Sequence, residues 1–247
     1  MNDQSTETAK HKRDSAQLEA KTATRERIVE AARDLFFKQG YVATGVAQIL
    51  KESNANSGSL YYFFPSKEDL LVAVLEKYQA LLEPRVLKPA FDRVAERKRA
   101  QSVSAIARNV KSSAQPKADD PIERLFAVLE GYRLLLEATN FDLGCPIGNL
   151  ALEVSNSQPA ARRLIIENFK AWCDAIRRLI EDAADRLPKD VEAPGLATHV
   201  LATMEGSVML ARAYRSFEPF DQAINQLKDY IGRLTRERTR RKRSRRR

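Results

Sequence analysis

Side chains that commonly do covalent or metal chemistry are scarce in this 247-residue sequence. There are two histidines, His11 and His199, and two cysteines, Cys145 and Cys173, and none stands at zinc-ligand spacing. Cys145 lies between Gly144 and Pro146 with no His or Lys beside it to lower its pKa, so it reads as an inert thiol. An enzyme built on Cys145 and His199 would combine a thiol and a distant imidazole at no recognisable spacing. The sequence therefore reads as a non-enzyme with no catalytic residues, metal or cofactor. What it does offer is a tight run of small hydrogen-bonding residues, Asn56-Ser57-Gly58-Ser59, followed by Leu60-Tyr61-Tyr62-Phe63-Phe64 and closed by Pro65. Hydroxyl, amide and phenol groups on a slim backbone suit the edges of nucleic-acid bases and the phosphates beside them.

Such a probe needs a mount, and the preceding residues supply one. Ile28, Ala32, Leu35 and Phe36 share one face of a helix that Gly40 ends as a C-cap. Thr44 is placed to cap a second helix through Val46, Ile49 and Leu50, and Ser53–Asn56 is turn material. Leu60 and Phe64, four apart, can face inward and leave the polar tip outward. Ser66 opens a fourth helix with Asp69 in a weak capping box, and Lys67 stands at its start with an ammonium that can meet a phosphate. Helix, four-residue turn and short helix make helix-turn-helix geometry, in which the last helix enters the major groove.

The remainder is also helical. Pro84 and Pro89 read as a break, and a weaker helical signal then runs through Val94, Val103 and Ile106. Residues 111–121 read as a loop, and Pro121 opens a strong helix carrying Leu125, Val128, Leu129 and Tyr132. A break at 144–149 leads to a short helix over 150–154, and Pro159 starts a long one with the stripe Ile165, Phe169, Trp172, Ile176, Leu179. Two helices finish the bundle, at 194–214 and 219–234. The expected fold is all-α: a three-helix DNA-binding unit over 23–70, then a larger helical bundle over 71–235. A disordered leader (1–22) and a disordered basic tail (236–247) flank them.

Composition excludes other classes. With 30% charged residues, no segment approaches the roughly 18–20 apolar residues of a membrane span. A polar N-terminus without a secretory core, and two cysteines with no disulfide framework, point to a reducing, cytoplasmic setting. The net charge of +9 is misleading. The last twelve residues carry nine Arg or Lys and one Glu, so the rest is close to neutral, and the proposed DNA-binding segment is itself balanced. A second basic stretch spans 85–118. It and the tail together support an alternative reading, a nonspecific or architectural nucleic-acid binder working by counterion release.

Residues 24–75, TRERIVEAARDLFFKQGYVATGVAQILKESNANSGSLYYFFPSKEDLLVAVL, strongly resemble the N-terminal domain of the TetR family of bacterial transcriptional regulators. The resemblance rests on Phe36–Tyr41, on Thr44, on Leu60 to Phe64 and on Ser66–Leu70. It implies that Thr44 and Gly45 start the helix abutting the DNA backbone. It places Asn56, Ser57, Gly58 and Ser59 at base edges, with Tyr61 and Lys67 on phosphates; the Tyr62 phenol joins this set. The sequence departs from the family at three positions: Phe63 where His is common, Ser57 where Lys is common, and Gly45 where Ser or Thr is common. Basic residues of the leader (Lys10, Lys12, Arg13, Lys21, Arg25) or the tail would then supply phosphate contacts.

The resemblance also implies an all-α C-terminal domain with a pocket for a small-molecule effector, a homodimer, and release from a palindromic operator as a ligand-responsive repressor. GCPIGNLALE (144–153) looks like the signature of one C-terminal subtype. Candidate pocket residues are Phe126, Tyr132, Cys145, Asn149, Phe169, Trp172 and Met204. Residues 197–213 are rich in small side chains, so the last two helices are the expected dimer interface, with Leu201, Met204, Val208 and Leu210 for burial. A dimer reads two half-sites about 34–36 Å apart. The helix from Ser66 to Leu82 is the expected lever between head and bundle.

Overall fold

A computed structural model of the chain describes residues 3–107, 120–154 and 158–244. Among these residues the structure contains ten α-helices and no strand. They are α1 (Asp3–Gln39), α2 (Val46–Ser53), α3 (Ser57–Phe63), α4 (Lys67–Leu81), α5 (Lys88–Ala107), α6 (Pro121–Ala138), α7 (Pro146–Glu153), α8 (Pro159–Asp182), α9 (Ala193–Tyr214) and α10 (Glu218–Ser244). No helix among the described residues is long and apolar enough to cross a membrane.

The chain divides into two compact units. The first is Met1–Lys77 together with Asn149–Ile165; the second is Tyr78–Gly148 together with Ile166–Arg247. This differs from the linear division expected at residue 70, because α7 and α8 each give part of their length to the first unit. Two further expectations are corrected. The leader is not a disordered segment: α1 begins at Asp3, and from residue 11 its added turns are exposed. A long polar stretch without Gly or Pro continues the helix outward because each added residue gains one hydrogen bond on a nucleus already formed. For the same reason α10 does not stop at Leu234 but runs to Ser244, through most of the basic tail; residues 245–247 lie outside the described residues. The loop expected over 111–121 also lies outside them, except for its last two residues.

In the first unit, Ile28, Ala32 and Phe36 on α1 are buried together with Ile49, Leu60, Phe64, Leu70 and Leu71. Arg27 ties α1 to α2 by donating from Nε to the Ser53 carbonyl at 3.3 Å. Gly40 ends α1 with φ +87° and donates its N–H to Phe36 O. The expected cap of α2 is corrected: the N-cap is Gly45, whose N–H donates to Gln48 Oε1. Thr44 is turned inward and donates its hydroxyl to the Gly40 carbonyl at 2.6 Å. The capping box at α4 is as expected, with the Ser66 N–H and hydroxyl donating to Asp69 Oδ2 and the Asp69 N–H donating back to Ser66 Oγ.

The second unit is a bundle in which α6 packs on α5 and α9, and α9 on α10. Its core includes Leu125, Leu129, Tyr132, Ile176, Val200, Met204 and Phe220. Pro84 and Pro89 do not break the helical path as expected. Leu82–Leu87 forms a π-helical turn, closed by the Lys88 N–H donating to Glu83 O, and α5 follows at once. A proline lacks its N–H and clashes with the carbonyl four residues back, and widening the turn accommodates both. Pro89 falls in the first turn of α5, where no N–H is needed.

Gly40 also carries a contact within the first unit. A Cβ there would overlap the carboxylate of Glu153, whose Oε2 accepts the Val42 N–H at 2.8 Å. Gly40→Ala therefore adds left-handed strain to that overlap and is expected to lower unfolding stability by about 1–2 kcal/mol or more in urea titration. A loss below about 0.5 kcal/mol would show that the turn relaxes freely.

Candidate functional site

The surface of α3 follows from what lies beneath it. Leu60 and Phe64 are buried, so the opposite side of this seven-residue helix is outward. Asn56, Ser57 and Gly58 are exposed and Ser59 is half-buried. Asn56 is the N-cap, its Oδ1 accepting the Ser59 N–H at 2.7 Å. Loss of such a cap costs about 1 kcal/mol, a large share for so short an element. The Asn56 amide nitrogen stays available to an acceptor while its oxygen is engaged. The Gly58 Cα and the two serines leave room for close approach to a base edge.

Tyr61 and Tyr62 are exposed on the following turn. Lys21 of α1 stands 5.6 Å from the Tyr62 ring centre, and Arg25 stands 5.2 Å from that of Phe64. The long α1 thus braces α3 with cations against aromatic faces. Phe63, in the place where the family commonly has His, packs edge-on to Tyr62 at 4.9 Å.

Two expected contacts have other work in this structure. Thr44 is buried, and its hydroxyl is spent on Gly40, so it shapes the start of α2 instead of presenting a polar surface. Gly45 stands at the surface beside it, with only Gln48 Oε1 near its Cα. Lys67 donates from Nζ to the Tyr41 carbonyl at 2.6 Å and lies 4.2 Å from the centre of the Tyr41 ring. Burial lowers its pKa, and the charge of Glu153 raises it again. An ammonium has three donors, so Lys67 can hold the turn and still face a phosphate.

The basic stretch 85–118 is half paired over its described part: Lys88 pairs with Asp92, Arg97 with Glu130 and Lys98 with Glu123. Carboxylates of α6 thus take up two of its cations.

In the second unit a cavity of about 450 Å³ opens against α4, the π turn, α5, α6, the start of α7, and α8. Of the expected pocket residues, Tyr132, Cys145 and Trp172 line it, with the Tyr132 and Trp172 rings 5.8 Å apart. The other four do not. Phe126 lines a separate polar groove between α5, α6 and α10. Asn149 belongs to the first unit. Phe169 is half-buried away from the cavity, and Met204 is packed in the core. Tyr78, Arg85, Arg93 and Asn168, which are not among the expected residues, also line it. The signal was present in Pro84 and Pro89, since a π turn often marks a functional position.

The deep end of the cavity is a buried polar cluster. The Tyr132 hydroxyl donates to Cys145 Sγ at 3.7 Å, and the Gly148 N–H reaches the same sulfur at 3.5 Å. Behind them Glu205 faces Cys145 and lies against Gly148, where a Cβ would overlap its carboxylate. Burial and the nearby carboxyl push the Cys145 thiol far up, so it stays protonated. Burial raises the Glu205 carboxyl as well, and the Cys145 thiol counters this in part. His199 is on the exposed side of α9 against Tyr230, and no imidazole joins the cluster. Among the described residues no group of His, Cys, Asp and Glu could hold a metal ion.

A carboxyl whose folded pKa is raised destabilises the fold at pH values above that raised pKa. The penalty fades as pH falls toward the ordinary carboxylate range, where folded and unfolded forms are both protonated. Glu205→Gln removes the charge at near-constant shape. Its melting temperature should exceed the parent's at pH 7, with the advantage shrinking on acidification to about pH 4.5. A gap independent of pH would show that Glu205 is solvated.

Comparison with known proteins agrees with this geometry. Residues 28–74 match the family described as "Bacterial regulatory proteins, tetR family", and residues 121–227 match "Tetracyclin repressor-like, C-terminal domain". The uncharacterised HTH-type transcriptional regulator YxaF of Bacillus subtilis is 28% identical over 198 residues, covering 79% of this chain and 88% of its own. The HTH-type transcriptional repressor DhaR of Mycobacterium sp. is 23% identical over 207 residues, covering 83% and 90%. The crystal structure of a TetR transcriptional regulator from Chloroflexus aurantiacus superposes with a TM-score of 0.65 at 27% identity, over 87% of this chain and 96% of that one. With an exposed α3 seated on α1 and α2 and a helical second unit, the chain belongs to the TetR family and is a DNA-binding transcriptional regulator.

Proposed function

We propose that this regulator is a homodimeric repressor that reads a palindromic operator with α3 and is released by a small molecule held in the cavity of its second unit. The observation that carries the DNA-reading part is the outward row Asn56, Ser57, Gly58, Ser59, Tyr61 and Tyr62 on a helix anchored by Leu60 and Phe64. Asn56 to Ser59 approach base edges; Tyr61, Tyr62 and Lys67 approach phosphates; Gly45 lets α2 come close to the backbone, on a start shaped by Thr44. The repressor sense follows the relative DhaR, whose name describes a repressor.

Dimerisation through α9 and α10 is supported by what they leave outside. The residues expected at the interface divide: Leu201, Met204 and Val208 are buried within the protomer, and Leu210 is not. The exposed apolar side chains are Met209, Leu210 and Tyr214 on α9 and Tyr230 on α10. Gly206 is on the same helix, and a Cβ there would meet nothing within 4 Å. A mid-helix glycine costs about 1 kcal/mol relative to alanine, and nothing inside the protomer requires it. Close approach of a second backbone does.

Release needs a path from cavity to head, and two helices carry residues of both kinds. α4 has Tyr78 and Leu81 on the cavity wall and Lys67 on the Tyr41 carbonyl. α7 has Ile147 on the wall and Glu153 on the Val42 N–H. A ligand that shifts either helix changes operator affinity, and by linkage DNA changes ligand affinity by the same factor.

Selection from random duplex DNA with the purified protein tests the reading. Enrichment of one palindrome with half-sites about one helical turn apart is expected, and retention of duplexes with no common sequence would overturn it in favour of architectural binding. Leu210→Arg should shift the protein from dimer to monomer in sedimentation and weaken operator binding at least tenfold, because one head reads only half a site. A variant that remains dimeric would move the interface elsewhere.

A further inference from the structure

The lining of the cavity is chemically one-sided. It contains two arginines, Arg85 and Arg93, and no carboxylate. The other cations of α5 noted above are matched by acids, but Arg93 is not. One of its Nη atoms donates to the Ala127 carbonyl at 3.0 Å, and its Nε is buried with no hydrogen-bond partner among the described residues. That Nε is closed to solvent and so to the cavity, and the guanidinium meets a ligand through its other Nη. Arg93 also lies along the wall of α6, where a Cβ on Gly131 would stand 3.4 Å from Nη2, about ordinary contact. Arg85 is exposed in the π turn. The lining also carries the tilted Tyr132 and Trp172 rings, 5.8 Å apart.

From this arrangement we infer that the cavity takes an apolar, ring-bearing molecule with a single anionic group, a carboxylate or sulfonate. The anion accepts hydrogen bonds from Arg93, with Arg85 adding charge from the π turn, and the body lies against Tyr132 and Trp172. Anion and guanidinium form charge-assisted hydrogen bonds that a neutral ligand of the same shape does not supply. The acid nearest the deep end, Glu205, is separated from the lining by Cys145 and is held toward its neutral form by burial, so it does not repel the ligand. The inference rests on the proposed effector cavity and specifies its ligand class.

The test uses a matched pair of probes on the full-length protein, 8-anilinonaphthalene-1-sulfonate and the neutral N-phenyl-1-naphthylamine. Trp172 is the only tryptophan and lines the cavity, so energy transfer from it reports binding there. The sulfonate should bind at least tenfold more tightly than the amine. Arg93→Gln should abolish that preference while changing amine affinity less than about threefold, and Arg93→Lys should keep most of it. Equal affinity of the parent protein for both probes overturns the inference, as does an equal loss of both in Arg93→Gln while Arg93→Lys shows no preference. Operator binding is measured separately on the selected palindrome. A sulfonate that binds with the expected preference yet leaves DNA affinity unchanged upholds the ligand class and tells against release as the mechanism; release by both probes equally upholds release and overturns the ligand class.

Discussion

A seven-residue helix has almost no stability of its own in water, because its nucleus costs more than its few hydrogen bonds return. α3 exists because Leu60 and Phe64 are buried against the neighbouring helices and because Asn56 closes its first turn. The outward row of α3 depends on that arrangement. The same burial decides which side chains are outward, so the core of the first unit and its reading surface are two faces of one constraint. Lys21 and Arg25 extend it by placing cations on the rings that flank the turn, which gives the long α1 a role in holding α3 as well as in carrying charge.

The loop between α1 and α2 is held just as firmly. Gly40 adopts a left-handed conformation that only a residue without Cβ takes easily, and the space above it is filled by Glu153. Lys67 and the Glu153 carboxylate secure the two ends of the peptide group that follows, the Tyr41 carbonyl and the Val42 N–H. Gln158 donates to the Tyr41 hydroxyl at 3.2 Å. This loop sets where α2 begins, and it is fastened by residues more than a hundred positions away. The anchors of this loop are few, polar and separate from the apolar core.

Electrostatics takes different forms in the two units. The helix-turn-helix segment is balanced in charge, so its outward face offers hydrogen-bonding groups more than net charge, with cations at its margin. In the second unit two basic residues of α5, Arg97 and Lys98, pair with carboxylates of α6, and three buried titratable groups are kept uncharged. Tyr132, Cys145 and Glu205 are all pushed toward their protonated forms, chiefly by burial. A cavity bordered by neutral groups and two arginines has a definite polarity, which a wholly apolar core would lack.

The helix-turn-helix unit was largely legible in the order of residues. Its signals are local: the Phe36–Gly40 stop, the turn at Ser53–Asn56, the i, i+4 pair Leu60 and Phe64, and the Ser66–Asp69 box all act within a few positions, so spacing alone places them. The terminal segments are less legible, because polarity points to disorder, whereas a helix already formed continues through residues that neither break nor bury it. The cavity was only half visible. Tyr132, Cys145 and Trp172 could be named as candidates, but core and pocket residues share one helical periodicity, and Met204 and Phe169 looked no different. Which of them borders a void is decided by the packing of α4 to α8, together with a π turn that proline chemistry permits but does not dictate. Amino-acid order determined the helices and the reading head of this protein. Only the tertiary structure decided that Arg97 and Lys98 meet carboxylates of α6, that Arg93 reaches the Ala127 carbonyl, and that Glu153 holds the loop at Gly40, because those pairings join residues that spacing cannot relate.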